Sequence, residues 1–163
     1  MSVIDKTYYP SPLGMLEIVS SHETVFSINY FDKDSKTSPK IPHSAEDCVR
    51  QLDEYFAGKR KKFELHLQPT GTPFQLHVWD ELLKIPYGKT ISYLQLSRKL
   101  GDEKSIRAAA SANGKNPIAI IIPCHRVIGS NGDLVGYSGG LHRKEWLLAL
   151  EQGEQQLGFE FGI

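Results

Sequence analysis

The stretch from Ile91 to Pro117, "ISYLQLSRKLGDEKSIRAAASANGKNP", constrains the fold more than any other part of the chain. Ile91, Leu94 and Leu96 with Leu100 recur along a first short helix, and Gly101 ends it. Asp102 is placed to cap a second helix, which stops at Asn116-Pro117. Two short helices joined by a tight glycine turn predict a helix-turn-helix, although any αα-hairpin shares the pattern. The second helix reads IRAAASA, one arginine among small side chains. Alanine is a strong helix former and needs no further reason. Small side chains also let a helix backbone approach another surface closely, with Arg107 projecting beyond them. The DNA minor groove is about 6 Å wide, so it would suit such a helix.

The chain on either side predicts an α+β protein: a small β-rich N-terminal domain, residues 1–69, and a mainly helical domain, residues 70–163, carrying the helix-turn-helix. LGMLEIVS and TVFSINYF are rich in branched and aromatic residues, with SSHE as the turn of a hairpin. SAEDCVRQLDEYFAGKR reads as a helix with Ser44 as N-cap, Asp47 three residues on, Val49, Leu52 and Phe56 recurring, Cys48 packed inside and Gly58 as the stop. KKFELHLQP reads as a further strand. In the second domain, Thr72, Pro73 and Gln75 form a capping-box start. The helix that follows is expected to bury Phe74, Val78, Trp79, Leu82 and Leu83. NPIAIIIPCHRVI predicts a buried strand interrupted by Pro123, and GSNGDLVGYSGG a glycine-rich loop. LHRKEWLLALE predicts a last amphipathic helix with Leu141, Trp146, Leu147 and Leu150 in the core.

Charge is distributed unevenly although the net is zero. Residues 1–83 carry 9 Lys/Arg and 12 Asp/Glu, residues 84–126 carry 8 and 2, and residues 127–163 carry 2 and 5. The block leading into Cys124 is therefore positive by 6, compatible with a nucleic-acid surface and equally with a solvated basic face. The first residues show no basic segment followed by an apolar run, and no stretch has membrane-spanning length. Two cysteines, Cys48 and Cys124, make no disulfide framework. A cytoplasmic protein with no membrane partner is expected.

The chemistry concentrates in IIIPCHRVIG, Ile120–Gly129. A lone cysteine is usually an inert core residue. Here Pro123 ends the ladder bonding of an apolar run, and His125 and Arg126 follow at once, where core packing would not select them. A free thiol is only a few per cent ionised at neutral pH, so a nucleophilic Cys124 needs a base. His125 is adjacent but points to the opposite side in extended chain, so a bend or a bridging water is required. A carboxylate would complete a Cys–His–acid relay, and Glu151 is one candidate. Two ligands side by side make no zinc site, and no CxxC pair exists. A cysteine hydrolase remains open on these residues alone.

Taken together, TPFQLHVW, ISYLQL, RAAASANGKNP, IIIPCHRVIG and GYSGGLHRKEWLLALE resemble the methylated-DNA–protein-cysteine methyltransferases over roughly residues 70–151. The resemblance implies a single-turnover transfer of a methyl or alkyl group from O6-alkylguanine in double-stranded DNA to Cys124, after rotation of the nucleotide out of the stack. O4-alkylthymine is a further substrate to weigh. It implies His125 and Glu151 as partners in a Cys–water–His–Glu network, and Asn116 as the residue holding the active-site turn. Arg107 corresponds to the arginine that fills the vacated stack. Tyr93 corresponds to a tyrosine that binds guanine N3. Tyr137 and Ser138 correspond to the loop over the base, with the Ser138 N–H near its O6 atom. Val127 corresponds to a backbone carbonyl reading the exocyclic amine, and Ser130 to a phosphate contact. No cofactor is implied, and a monomer is expected. Two departures stand out: Ile106 occupies a position where the family often has a small residue, and the first domain lacks the Cys/His set that gives some relatives a structural zinc. A helix-turn-helix binder without enzymatic activity is the alternative reading.

Overall fold

The computed structural model describes residues 3–33, 35–36, 40–132, 134 and 136–153. They divide into two units. One holds the described residues up to Thr70 together with Pro117–Ala119; the other holds Gly71–Asn116 and the described residues from Ile120 onward.

The first unit is a three-stranded antiparallel meander, β1 (Asp5–Ser11), β2 (Gly14–Ser20) and β3 (Val25–Tyr30), under the helix α1 (His43–Phe56). The hairpin expected between LGMLEIVS and TVFSINYF is present. Side chains alternate as a half-buried sheet requires on β1, where Thr7 and Tyr9 face inward, and on β2, where Leu16 and Ile18 do. On β3 a register shift opposite Val19 and Ser20 breaks the alternation, so Val25 and Ile28, three residues apart, are the buried pair. α1 covers that face with Ala45, Cys48, Leu52 and Tyr55, recurring at helical spacing. Cys48 is fully buried, as packing predicts. Gly58, at φ 74°, follows the helix end and its N–H donates to Tyr55 O.

Two sequence expectations fail in this unit. Ser44 is not the N-cap; Pro42 is, and Ser44 lies inside the helix, its hydroxyl donating to Ser21 O and its N–H to His22 O. The hydroxyl that could have capped the helix instead ties it to the hairpin turn. The segment 61–69 forms no strand, only one bridge from Leu67 to Val25. The Gln51 side chain takes its backbone groups instead, accepting from Glu64 N at 2.8 Å and donating to Glu64 O at 3.1 Å. The free edge of β3 is covered piecewise, by Leu67 at Val25 and by Ile118 at Ile28.

The second unit starts as the sequence predicts. α2 (Pro73–Leu82) has Thr72 as N-cap with a full capping box to Gln75. Its buried stripe is Val78, Trp79 and Leu82. Phe74 in the first turn is 37% exposed and Leu83 beyond the last is 47% exposed, so neither belongs to the core. α2 packs on α4 (Ile106–Gly114), and Trp79 Nε1 donates to Ala112 O at 2.9 Å. α3 (Tyr93–Lys99) carries a second capping box, Ser92 with Gln95, and Gly101 at φ 91° turns the chain. Asp102 accepts from Lys104 N and caps a single 3-10 turn, Glu103–Ser105, that leads into α4. The helix-turn-helix is therefore formed by α3 and α4, which pack together.

The expected buried strand over 118–122 is absent. Ile118 makes one bridge, and Ile120 has φ 72°, the left-handed region that a β-branched residue strongly disfavours. The apolar run is buried as a bent turn rather than a ladder strand. Cys124–Arg126 then form a 3-10 turn, followed by β5 (Val127–Ile128), parallel to β4 (Ile91–Ser92). α5 (Leu141–Gln152) closes the unit with Leu147 and Leu150 buried; Leu141, its first residue, is 47% exposed, and Trp146 is half-buried. Among the described residues no helix is long and apolar enough to cross a membrane.

Candidate active site

Cys124 opens the 3-10 turn between Pro123 and β5 and is 4% exposed. Two asparagines fix this turn through carbonyl oxygens. Asn116 Nδ2 donates to Ile122 O at 2.7 Å, and Asn113 Nδ2 to Cys124 O at 3.3 Å. The turn also answers the objection raised by extended chain: in 3-10 geometry His125 need not face away from the thiol's side.

His125 is fully buried, and its Nε2 lies 2.7 Å from Glu151 Oε2. Arg126, also buried, forms a fork on the same carboxylate, Nε to Oε1 at 2.7 Å and Nη2 to Oε2 at 2.9 Å. Its Nη1 reaches Ile85 O at 2.7 Å, and its guanidinium lies 5.8 Å from the Tyr87 ring centroid. Glu151 sits in the last turn of α5, where the helix dipole disfavours a carboxylate. Burial also opposes its charge, but the contact with His125 and the Arg126 fork outweigh it and hold the carboxyl well below the usual range. An ionised Glu151 only accepts, so the proton on His125 is on Nε2 and Nδ1 presents a lone pair. Nδ1 is buried and has no hydrogen-bond partner among the described residues. Burial pushes the pKa of His125 down, against the pull of Glu151, so the ring is a neutral base. Burial pushes the Cys124 thiol up, opposed by the Asn116 hydrogen bond and the charge of Lys144.

Lys144 is the residue that sequence reasoning missed. It is fully buried on α5, with Nζ donating to Val127 O at 2.6 Å and to Gly136 O at 3.1 Å, and lies 5.9 Å from the Tyr93 ring centroid. Burial lowers its pKa to about 8, with the Cys124 charge acting the other way. The signal was available: Lys144 precedes Leu147, Leu148 and Glu151 by three, four and seven residues, which places it on the inward stripe of α5. Arg126 was noticed as out of place but given no task.

Tyr93, Arg107 and Tyr137 line one cavity with Ile106, Ala110 and Asn113. Tyr93 is half-buried; burial raises the pKa of its hydroxyl, the Cys124 charge adds to this, and a hydrogen bond with Asn113 opposes it. Arg107 is exposed on α4. Val127 is buried, its carbonyl engaged by Lys144. Ser130 and Ser138 are exposed on the loop and lie outside this lining. Among the described residues no group of three or more His, Cys, Asp and Glu could hold a metal.

Comparison with known proteins shows the family. Residues 73–153 match the model of the 6-O-methylguanine DNA methyltransferase DNA binding domain, and residues 4–69 that of the 6-O-methylguanine DNA methyltransferase ribonuclease-like domain. A methylated-DNA–protein-cysteine methyltransferase of Methanosarcina acetivorans is 43% identical over 150 residues, 88% of this chain and 95% of that protein. The chain belongs to the methylated-DNA–protein-cysteine methyltransferase family. As expected for a methyltransferase of this family, its fold is similar to the crystal structure of the Mycobacterium tuberculosis O6-methylguanine methyltransferase, with a TM-score of 0.82 and 39% identity over 92% of this chain and 93% of that one. The M. tuberculosis OGT in complex with DNA is similar at a TM-score of 0.83, with 42% identity over 91% and 92% of the two chains.

Proposed function

We propose that this methyltransferase repairs DNA by direct reversal, taking a methyl or alkyl group from O6 of guanine in duplex DNA onto Cys124. The observation that carries the reading is the buried relay behind the cysteine, in which Arg126 and Glu151 fix His125 with a free lone pair on Nδ1.

The target atom lies inside the stack, so the nucleotide must rotate out, at a few kcal/mol of unstacking. α4 supports this step: its exposed face carries small residues, and Arg107 is exposed at its start, able to fill the gap. The base then enters the cavity lined by Tyr93, Arg107 and Tyr137. His125 Nδ1 takes the thiol proton through a water molecule. The Cys124 sulfur attacks the alkyl carbon, the S–C bond forms and the C–O6 bond breaks. The base leaves as its anion and regains one proton from the site, so the sum is thiol plus O6-alkylguanine giving thioether plus guanine. A hydrogen bond from Tyr93 to N3 and one from the Ser138 N–H to O6 stabilise the developing charge. The Val127 carbonyl retains a second lone pair beside Lys144 for the exocyclic amine. Ser130 contacts a backbone phosphate, and Asn116 holds the turn. A thioether has no carbonyl for water to attack, so each protein acts once. Both thiols are free, which suits a reducing cytoplasm.

The test is the intact mass of the protein after incubation with a duplex carrying O6-methylguanine. One added methyl group, mapped to Cys124 and absent in Cys124→Ala, is the expected result. Tight binding to the lesion with no mass gain would sink the transfer and leave the non-enzymatic binder. Repeated turnover of an ester or amide would identify a hydrolase.

A further inference from the structure

Four consecutive cations, Lys59, Arg60, Lys61 and Lys62, follow the end of α1 in the first unit. Residues 1–70 carry 9 Lys/Arg and 10 Asp/Glu, so nearly half of the cations there stand in one turn. The turn is fixed at both ends. Just past α1, Gly58 at φ 74° lets the chain reverse, and Lys59 N donates to Glu54 O at 2.8 Å. At the far end, Glu64 exchanges both backbone groups with the Gln51 side chain. Arg60 braces the middle: Nε donates to Glu54 Oε1 and Nη1 to Lys62 O, each at 2.8 Å. Arg50 Nη1 lies 3.5 Å from the same Glu54 oxygen, so the one acid on this surface is already answered. Lys59, Lys61 and Lys62 are exposed, and with Glu54 and Arg60 they line a concave surface of net charge +3. Lys59 and Lys62 make no ion pair among the described residues. One cation would answer the dipole at the end of α1; this run exceeds that need, and its like charges repel one another.

We propose that this basic turn, residues 58–63, is a second DNA contact separate from the helix-turn-helix, in which Lys59 and Lys62 neutralise backbone phosphates and Arg60 holds the turn that presents them. The inference rests on the reading of duplex DNA as the partner. A duplex carries one charge per about 1.7 Å of its axis, so a concave row of cations meets several phosphates at once. Lysine suits the task, because a backbone contact needs a point charge and no base recognition. The contact carries no sequence preference and does not depend on the lesion. It lengthens residence on undamaged DNA, over which a repair protein must search.

The test measures binding of the full chain, across a range of salt, to an undamaged duplex long enough to extend beyond one helix-turn-helix site. In Lys59→Gln/Lys62→Gln the slope of log affinity against log salt should shrink by about 2, roughly 0.9 for each phosphate lost, with affinity at low salt down about tenfold or more. Both side chains are exposed, so the variant is expected to fold as the unaltered protein does. An unchanged slope would overturn the proposal. So would an equal drop in Lys6→Gln/Lys40→Gln, which removes the same charge from exposed positions elsewhere in the unit, because net charge alone would then set the slope. Binding to phosphatidylserine vesicles that Lys59→Gln/Lys62→Gln abolishes, with the DNA slope intact, would give the turn to a membrane surface and overturn it as well. Failure of the unaltered protein to methylate Cys124 would remove the repair reading and leave this slope, taken on undamaged DNA, to decide the second contact by itself.

Discussion

Arg126 and Glu151 meet in a two-point fork, Nε to Oε1 at 2.7 Å and Nη2 to Oε2 at 2.9 Å, with both side chains buried. This pair, 25 residues apart in sequence, joins the cysteine turn to the end of α5 and leaves Oε2 shared with His125. Removing one partner strands the other charge inside the protein. Arg126→Met is therefore expected to cost about 3–5 kcal/mol of stability. Urea denaturation measures it, and a loss under 1 kcal/mol would show that the fork is not what holds Glu151.

The buried relay sets an acid limit. The folded pKa of His125 lies below its ordinary 6.5, and that of Glu151 lies well below its ordinary 4.5. For both groups the unfolded chain takes up protons first as pH falls. The stability they contribute is fully present above the ordinary values and is lost as pH falls through the folded ones. Stability should thus decline below pH 6.5 and more steeply below pH 4.5. His125→Gln should lack the first decline, as seen by thermal denaturation across pH. The transfer rate should hold at pH 6.5 and fall only as pH drops through the lower folded value of His125, because the protonated ring cannot accept the thiol proton.

Lys144 satisfies two carbonyls, Val127 O on β5 and Gly136 O on the loop before α5. Lys144→Met leaves both without that donor, at about 1–3 kcal/mol for each buried group that stays unpaired. The loop from Gly129 to Gly140 should become more sensitive to limited proteolysis. A cleavage pattern identical to that of the unaltered protein would separate Lys144 from the loop's closure.

Arg107 is exposed, so its removal should leave stability within about 0.5 kcal/mol. Arg107→Ala should nonetheless slow transfer from duplex DNA by roughly tenfold or more, because nothing fills the vacated stack. On the free base O6-benzylguanine, which needs no rotation, its rate should match that of the unaltered protein. Equal losses on both substrates would refute the role.

What could be read in the sequence followed from local chemistry. Thr72 and Gln75 sit three residues apart before an apolar run, and their capping box needs nothing beyond those neighbours. The turn after α3 was equally local, since Gly101 and Asp102 act on their own backbone. In the segment 61–69, where a strand is expected, the Gln51 side chain takes the backbone N–H and carbonyl of Glu64, and only one bridge, Leu67 to Val25, forms. The strand expected at 118–122 failed because an apolar run shows burial but not conformation, and Ile120 takes a dihedral its own type disfavours. β1 escaped notice although Thr7 and Tyr9 face the core. At the site, Cys124, His125 and Glu151 follow from motifs, and the fold brings Glu151 to the His125 that adjoins Cys124. The roles of Arg126 and Lys144 were hidden because a buried cation is defined by carbonyls and carboxylates far along the chain.

One wall of this site is an omission. Gly88 has φ 79°, and its N–H points at Glu151 Oε1 from 3.5 Å. A Cβ there would stand 3.1 Å from the Glu151 carbonyl oxygen, in a backbone conformation side chains rarely adopt. The residue beside the Glu151 backbone is therefore one with no side chain. A search of this chain for damaging changes that looked only at reactive groups would pass over that position, although a single added methyl there would press on the Glu151 backbone.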